Sequence, residues 1–332
     1  MAFTPLFGTG FEMGSIEIVP AGQRFLVYLQ SSIVHTGTYA CEIRGVHGSV
    51  DGYLDLNVDT VTAELYIGAW VSPEKDYYFE IKVKTSDGYY VGLRYDNANN
   101  VWDAYVNGAK VDDGGVIHTQ DTWHFVELYV NIDNAGDIQS KVDGVPDIVY
   151  SGDTQPGAAT DIVYLRFLQH HEAFGTEYTR IDDLTYGTGG FPGDIRYSAA
   201  LVPDGDTAQL DWTPSAGSTN YAMVDEIPGS DADYVTADTV GYQDIYTLSD
   251  WSPASGDDPQ FIIDWIRAKK DTAATQGLEP VVDVNGSQSS GGSLDLSTTY
   301  LYYGRVVADD PDTGSGWDEA GINAIKVGQT YV

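Results

Sequence analysis

Chemistry needs reactive side chains held in a set, and this sequence offers few such sets. It has 50 Asp and Glu against 16 Lys and Arg. Cleavage of a glycosidic bond asks for two carboxylates flanking that bond. Asp225-Glu226 is adjacent rather than alternating and runs into Pro228, while Glu80 and Glu127 are isolated. His170-His171-Glu172 has metal-ligating residue types, but neighbours on a strand face opposite sides. A water-satisfied loop pair is the simpler expectation there. Gly314-Ser315-Gly316 lacks the Gly-x-Ser-x-Gly spacing of a nucleophile elbow. Cys41, between Tyr39 and Ile43, reads as a small core residue. No Walker loop or dinucleotide fingerprint is present. The expectation is a protein that is not an enzyme.

Binding chemistry is better represented. There are 24 Tyr and 7 Trp, and a tyrosine joins an apolar ring to a hydrogen-bonding hydroxyl. Tyr89, Tyr90, Trp102 and Tyr105 fall on adjacent predicted strands and are the candidates for stacking on sugar rings. The competing use of such rings is to fill the core. Tyr300, Tyr302 and Tyr303 pose the same choice later in the chain. Asn285-Gly286-Ser287 is a formal glycosylation sequon in a predicted turn.

The elements that must position these residues are short strands broken by Gly, Asp-Gly, Asn-Gly and Pro. Strands are predicted at 62–71, 78–84, 89–95, 101–106, 123–131, 138–142, 147–150, 161–168 and 178–186, and then at 194–202, 207–212, 260–268, 279–284 and 299–308. Four glycines and a proline in residues 187–193 read as a linker. The fold class is therefore all-β, with two β-sandwich domains, 1–190 and 191–332. One short helix is predicted near the C-terminus, capped by Ser315, with Asp318 in its first turn and Gly328 beyond its end. Residues 287–293 read as a flexible loop.

Composition bounds the partners. The net charge of −34 repels nucleic acid and anionic lipid alike. Residues 1–190 hold 27 acids and 10 bases, and residues 191–332 hold 23 and 6, so each part carries −17. Charge spread this evenly fits a halophilic protein, because molar salt shortens the Debye length to ~3 Å and screens self-repulsion. A single cysteine forms no internal disulfide. The N-terminus lacks a basic and apolar leader, so synthesis and folding in the cytoplasm are expected, and no stretch suits a membrane span.

Phe11-Glu12, Thr36-Gly-Thr-Tyr-Ala40 and Arg180-Ile-Asp-Asp-Leu-Thr-Tyr186, in that order, resemble the concanavalin A-like and carbohydrate-binding-module jelly rolls over residues 8–187. That resemblance implies a structural calcium ion held by Glu12, Asp183 and Asp182. Gly193-Asp-Ile-Arg196, Trp212-Thr-Pro-Ser215, Asn220-Tyr-Ala-Met-Val-Asp-Glu226 and Pro311-Asp-Thr-Gly-Ser-Gly-Trp317 resemble a C-terminal module of tailed-virus virion proteins over about 193–332. It implies a non-enzymatic structural protein on the virion surface, as tail fibre, minor tail protein or capsid decoration. Its partners would be other virion proteins in a homo-oligomer, with a host-surface glycan as ligand. The alternative is a secreted carbohydrate-binding module or accessory domain of a glycoside hydrolase.

Overall fold

The computed structural model describes residues 2–18, 24–46, 50–58, 62–74, 78–171, 176–197, 199–253, 258–272 and 277–332. Its elements are strands, one short α-helix and two single-turn 3-10 helices, so the fold is all-β. Contacts divide the chain into two units. Unit 1 is Met1–Glu12 with Val19–Ser198, and unit 2 is Met13–Ile18 with Ala199–Val332.

Unit 1 contains β1 (Thr4–Thr9), β2 (Arg24–Phe25), β3 (Val27–Gln30), β4 (Ala40–Val46), β5 (Gly52–Asn57), β6 (Glu64–Pro73), β7 (Phe79–Thr85), β8 (Tyr90–Asp96), β9 (Val101–Val106), β10 (Ala109–Asp113), β11 (His124–Asn131), β12 (Gly136–Val142), β13 (Val145–Gly152), β14 (Ile162–Gln169) and β15 (Thr176–Thr188). One sheet has eight strands, in the order β13-β12-β11-β6-β15-β4-β3 with β1 beside β15. The other has seven, in the order β10-β9-β8-β7-β14-β5-β2. The result is a two-sheet sandwich of jelly-roll type.

The period-2 pattern explains the layering. In β7, Phe79, Ile81 and Val83 are buried between the sheets, while Glu80, Lys82 and Lys84 take the opposite face. Leu54, Leu93, Tyr95, Trp102 and Phe167 complete this side of the core. Truncating a buried aromatic such as Phe167 to Ala would cost ~3–5 kcal/mol. Two tight hairpins set the strand register. Asn107-Gly108 joins β9 to β10 and Asp143-Gly144 joins β12 to β13, each with positive φ at both residues.

The glycine-rich stretch 187–193 is docked rather than free. Phe191 meets Tyr66 edge-on, and Gly193 N–H donates to Glu127 Oε1 at 3.0 Å. Trp70 Nε1 donates to Asp194 Oδ1 at 3.0 Å. Gly68 is required under this strap, since a Cβ there would come within 2.7 Å of Pro192 Cγ.

Unit 2 contains β16 (Pro203–Leu210), β17 (Thr213–Pro214), β18 (Val235–Thr236), β19 (Gln243–Leu248), β20 (Ile262–Ala268), β21 (Gly277–Val284), β22 (Ser287–Ser290), β23 (Leu294–Asp295), β24 (Leu301–Val307), α1 (Glu319–Asn323) and β25 (Ile325–Tyr331). A six-stranded sheet runs β16-β19-β25-β21-β22 with β23 beside β21, and β17-β18 and β20-β24 are two-stranded ribbons. Val282, Val284 and Ile325 of the sheet pack with Val307, Trp317 and Ile322 in one core cluster.

Three sequence expectations change here. No strand forms at 194–202 among the described residues; β16 begins at Pro203. Residues 287–290 pair with β21 instead of forming a loop, because Asn285-Gly286 supplies a hairpin turn with both φ positive. The helix is a single turn capped by Asp318, whose Oδ1 accepts from Gly321 N–H at 2.7 Å. Gly328 is not its terminator. It lies in β25, which is hydrogen-bonded on both sides, and a Cβ there would sit 1.9 Å from Asp244 O.

Candidate functional site

The outward face of the seven-stranded sheet in unit 1 gathers five bases among acids that pair with four of them. Lys82 and Lys84 on β7, Arg94 on β8, Lys110 on β10 and Arg166 on β14 all belong to it, five of the chain's 16 bases. Period-2 alternation turns each outward, and cross-strand register brings them together. Lys110 pairs with Tyr105, Tyr105 with Gly92, Gly92 with Lys82, Lys82 with Arg166, and Arg166 with Asp55. A groove of about 240 Å³ lies over the middle of this row, from Tyr105 to Lys82, lined also by Glu80, Tyr90, Gly92 and Arg94; Lys110 and Arg166 lie outside its lining. Gly92 forms part of its floor: a Cβ there would come within 2.3 Å of Ile81 O.

Buried acids hold the bases in place. Glu80 is 4% exposed. Its carboxylate accepts from the Lys82 ammonium and, at 2.7 Å, from Arg94 Nε, and His170 Nε2 lies 3.3 Å away. Burial alone would push this carboxyl up, but hydrogen bonding and charge from His170 and Lys82 hold it well below its usual value. Asp55 takes the Arg166 guanidinium as a fork, with Nε and NH2 at 2.6 and 2.5 Å. Burial also pulls the Lys82 ammonium below its ordinary pKa, against the opposing pull of Glu80.

Tyrosines interleave with these cations. Lys82 Nζ is 4.6 Å and the Arg166 guanidinium 5.3 Å from the Tyr90 ring centre, and the Arg94 guanidinium lies 4.1 Å over Tyr105. Burial pushes the Tyr90 phenol up, with the Arg166 charge acting against it.

The four aromatic candidates therefore separate. Tyr90 and Tyr105 line the groove. Trp102 does not: it is fully buried and its indole N–H donates to His118 Nδ1 at 2.9 Å, so it is core and cannot stack on a ligand. Tyr89 precedes β8, and its ring closes over the loop at Gly157, where a Cβ would come within 2.4 Å of it. The sequence reading missed Lys82, Arg94, Arg166 and Asp55 and set Glu80 aside as isolated. In the His170-His171-Glu172 run, His170 faces Glu80, His171 N–H donates to Asp51 Oδ1 at 2.9 Å, and Glu172 lies outside the described residues.

Glu12, Asp182 and Asp183 do meet near one loop. Successive strand residues normally diverge, but Asp183 has φ +47 and the β15–β6 register shifts between Asp182 and Thr185. Both carboxylates then turn to residues 35–36. Asp182 Oδ2 accepts from His35 N–H at 2.9 Å and from Thr36 N–H at 3.3 Å, and its Oδ1 from Asp183 N–H at 2.9 Å. Asp183 accepts from Thr36 Oγ1 at 2.8 Å and from Tyr197 N–H at 2.7 Å, with His35 Nδ1 at 2.9 Å. Glu12 accepts from Thr38 N–H at 2.8 Å and Tyr39 N–H at 3.1 Å. All six carboxylate oxygens thus face donors of the chain itself, which is poor chemistry for a cation cage. Among the described residues, no group of three or more His, Cys, Asp and Glu is arranged to hold a metal. The implied calcium does not fit this arrangement. Burial and the neighbouring Asp183 charge push the Asp182 carboxyl up to about 8.

No family model and no curated protein matches the sequence. Among solved structures, the chain is similar to the endo-β-1,4-glucuronan lyase of the fungus Trichoderma reesei, at 16% identity over 56% of this chain and 96% of that one, with a TM-score of 0.41. It is similar to the cellulose induced protein Cip1, at 12% identity over 58% and 100%, with a TM-score of 0.42. A third is the catalytic domain of a glycoside hydrolase family 131 protein from Coprinopsis cinerea, at 13% identity over 55% and 86%, with a TM-score of 0.38. These likenesses bear on the fold alone. Two of the three are named as a lyase and as a hydrolase catalytic domain, so the expectation of a chain that is not an enzyme does not stand, and neither named activity passes to this chain. The virion reading finds no support among them.

Proposed function

We propose that unit 1 is a carbohydrate-active jelly roll whose seven-stranded sheet holds an acidic polysaccharide. The observation that carries this reading is the row of bases and tyrosines on one sheet face of a chain with net charge −34. Such a chain repels polyanions at long range. A local set of Lys and Arg, pre-positioned by buried Glu80 and Asp55, is what recognition of a uronate carboxylate requires. Tyr90 and Tyr105 add ring faces and hydroxyls beside those cations.

Arg94 or Arg166 would hold the uronate carboxylate, and Lys82, kept as an ammonium by Glu80, would add a second cation. Tyr90, its phenol kept protonated by burial, would offer a hydrogen bond to a glycosidic oxygen. The virion-surface reading of residues 193–332 rests on its sequence motifs alone.

The test is electrophoresis of the full chain through gels containing polyuronates or neutral glucans, with ultraviolet absorbance of unsaturated products followed in parallel. Retardation by polyuronate that weakens as salt rises is expected. Equal mobility in every polyuronate gel would overturn the reading, and binding without product would restrict it to recognition.

A further inference from the structure

We infer that His170 links acidic-polysaccharide binding to proton uptake: a proton on this ring adds a cation beside Glu80 and tightens the hold on a polyuronate. This rests on the proposed acidic-polysaccharide reading and adds a control to that same site.

Strand parity puts His170 on the face that carries the bases. It follows Arg166 and Leu168 on the outward side of β14, one residue past the strand's end at Gln169. Its backbone is fixed on both sides. The His170 N–H donates to Tyr78 O at 3.1 Å, and its carbonyl packs on Gly45, where a Cβ would come within 2.4 Å of His170 O.

The ring stands between two carboxylates. Nε2 is buried and lies 3.3 Å from Glu80 Oε1, and Nδ1 lies 3.4 Å from Asp51 Oδ2. A neutral imidazole has one N–H and one lone pair. Either tautomer therefore turns a lone pair towards one of the two acids, and only the imidazolium presents an N–H to both. His171 differs. Its Nδ1 and its backbone N–H both meet Asp51 Oδ1, at 2.6 and 2.9 Å, so a neutral ring protonated on Nδ1 satisfies that contact. Among the described residues, the charged and titratable groups around His170 are Glu80 and Tyr78 from the β7 side, Asp51 from the β5 side and the adjacent His171. Lys82 and Arg94 act on it through their shared partner Glu80.

Charge counting gives the direction. With His170 neutral, Asp51, Asp55 and Glu80 balance Lys82, Arg94 and Arg166 one for one. A proton on His170 leaves one positive charge in excess on this part of the face. It also gives Glu80 a third cation, so more of the Lys82 and Arg94 donors are left for a ligand carboxylate. Linkage is reciprocal, so binding a polyuronate must draw a proton onto the site.

Calorimetric titration of the full chain with oligomers of polygalacturonate, polymannuronate and polyglucuronate, at fixed ionic strength from pH 5 to 8, tests this. Histidine charge ordinarily changes within that range, while free carboxylates stay ionised throughout it. Affinity for the oligomers that bind should fall about fivefold from pH 5 to pH 8. Titrations in buffers of different ionisation enthalpy should show proton uptake on binding. His170→Gln should bind at the weaker level at every pH, His170→Lys should stay at the tighter level, and His171→Gln should keep the parent's pH dependence. Parent binding that ignores pH and takes up no proton, or an unaltered pH dependence in His170→Gln, would overturn the role of His170 and leave the acidic ligand intact. No binding of any oligomer at any pH would remove both.

Discussion

Unit 1 buries two sets of carboxylates, and they are stabilised in opposite ways. Glu80 and Asp55 are nearly inaccessible, and each is gripped by cations from neighbouring strands. Asp182 and Asp183 are fully buried but lie beside each other, satisfied chiefly by N–H and O–H donors from residues 35–36, 183 and 197. Hydrogen bonds alone do not offset two adjacent buried charges, so the Asp182 carboxyl is pushed up to about 8. A full positive charge within reach does offset burial, so Glu80 is held down. The comparison teaches that burial does not decide the charge of a carboxylate; the charge of its partners does. It also separates the two sets by what they present to solvent. The Glu80 set carries bases that point outward, whereas the Asp182 set closes on itself.

The largest effect should follow from removing the acid that organises the groove. Glu80→Ala leaves Lys82 and Arg94 half-buried without their carboxylate, and breaking such a pair from one side costs ~3 kcal/mol. Urea denaturation should show that loss, with polyuronate binding weakened in the remaining folded fraction. An unchanged midpoint would mean that the bases are held by the sheet itself.

The next effect is on the pH dependence of stability, where the two sets should act with opposite sign. Asp182 has a folded pKa raised from 3.8 to about 8. The folded state therefore binds more protons between those values, and the contribution of Asp182 is full below pH ~4 and lost as pH rises towards 8. Glu80 is depressed, so its contribution is present above its ordinary value of 4.5 and lost as pH falls below it. Thermal melts from pH 3 to 9 should show the descending limb between ~4 and 8 in the parent chain and its loss in Asp182→Asn. The readout is the slope, since the new amide faces the Asp183 N–H and lowers stability at every pH. An unaltered slope would assign the limb to other groups.

What the sequence made legible was local, and what it hid was register. Alternation over Phe79–Thr85 announces a strand with Glu80, Lys82 and Lys84 on one face. Nothing local says that Arg166 will lie against Asp55, 111 positions away. Strand parity could have divided the aromatic candidates, because Trp102 and Tyr105 are an odd number apart on β9 and must face opposite sides. The adjacency of Asp182 and Asp183 was visible, but the positive φ that turns both carboxylates to one loop was not. At the C-terminus the capping residue Asp318 was readable as a helix signal. The tertiary pairing of β25 with both β19 and β21 then limits that helix to one turn.

The smallest effect sharpens the comparison from outside. Lys110 makes two ion pairs, to Asp103 at 2.8 Å and to Asp113, so a count of salt bridges would rank it with Glu80. Its side chain is 38% exposed and that of Asp113 77%, so water and salt screen that pair, whereas the side chain of Asp103 is only 5% exposed. Lys110→Gln should therefore cost ~1 kcal/mol, less than Glu80→Ala because Lys110 itself stays in water, and molar salt should erase only the Asp113 part. A cost equal to that of Glu80→Ala would mean that burial of the acid alone governs this face, and no cost at all would mean that a half-exposed lysine does not hold the buried Asp103.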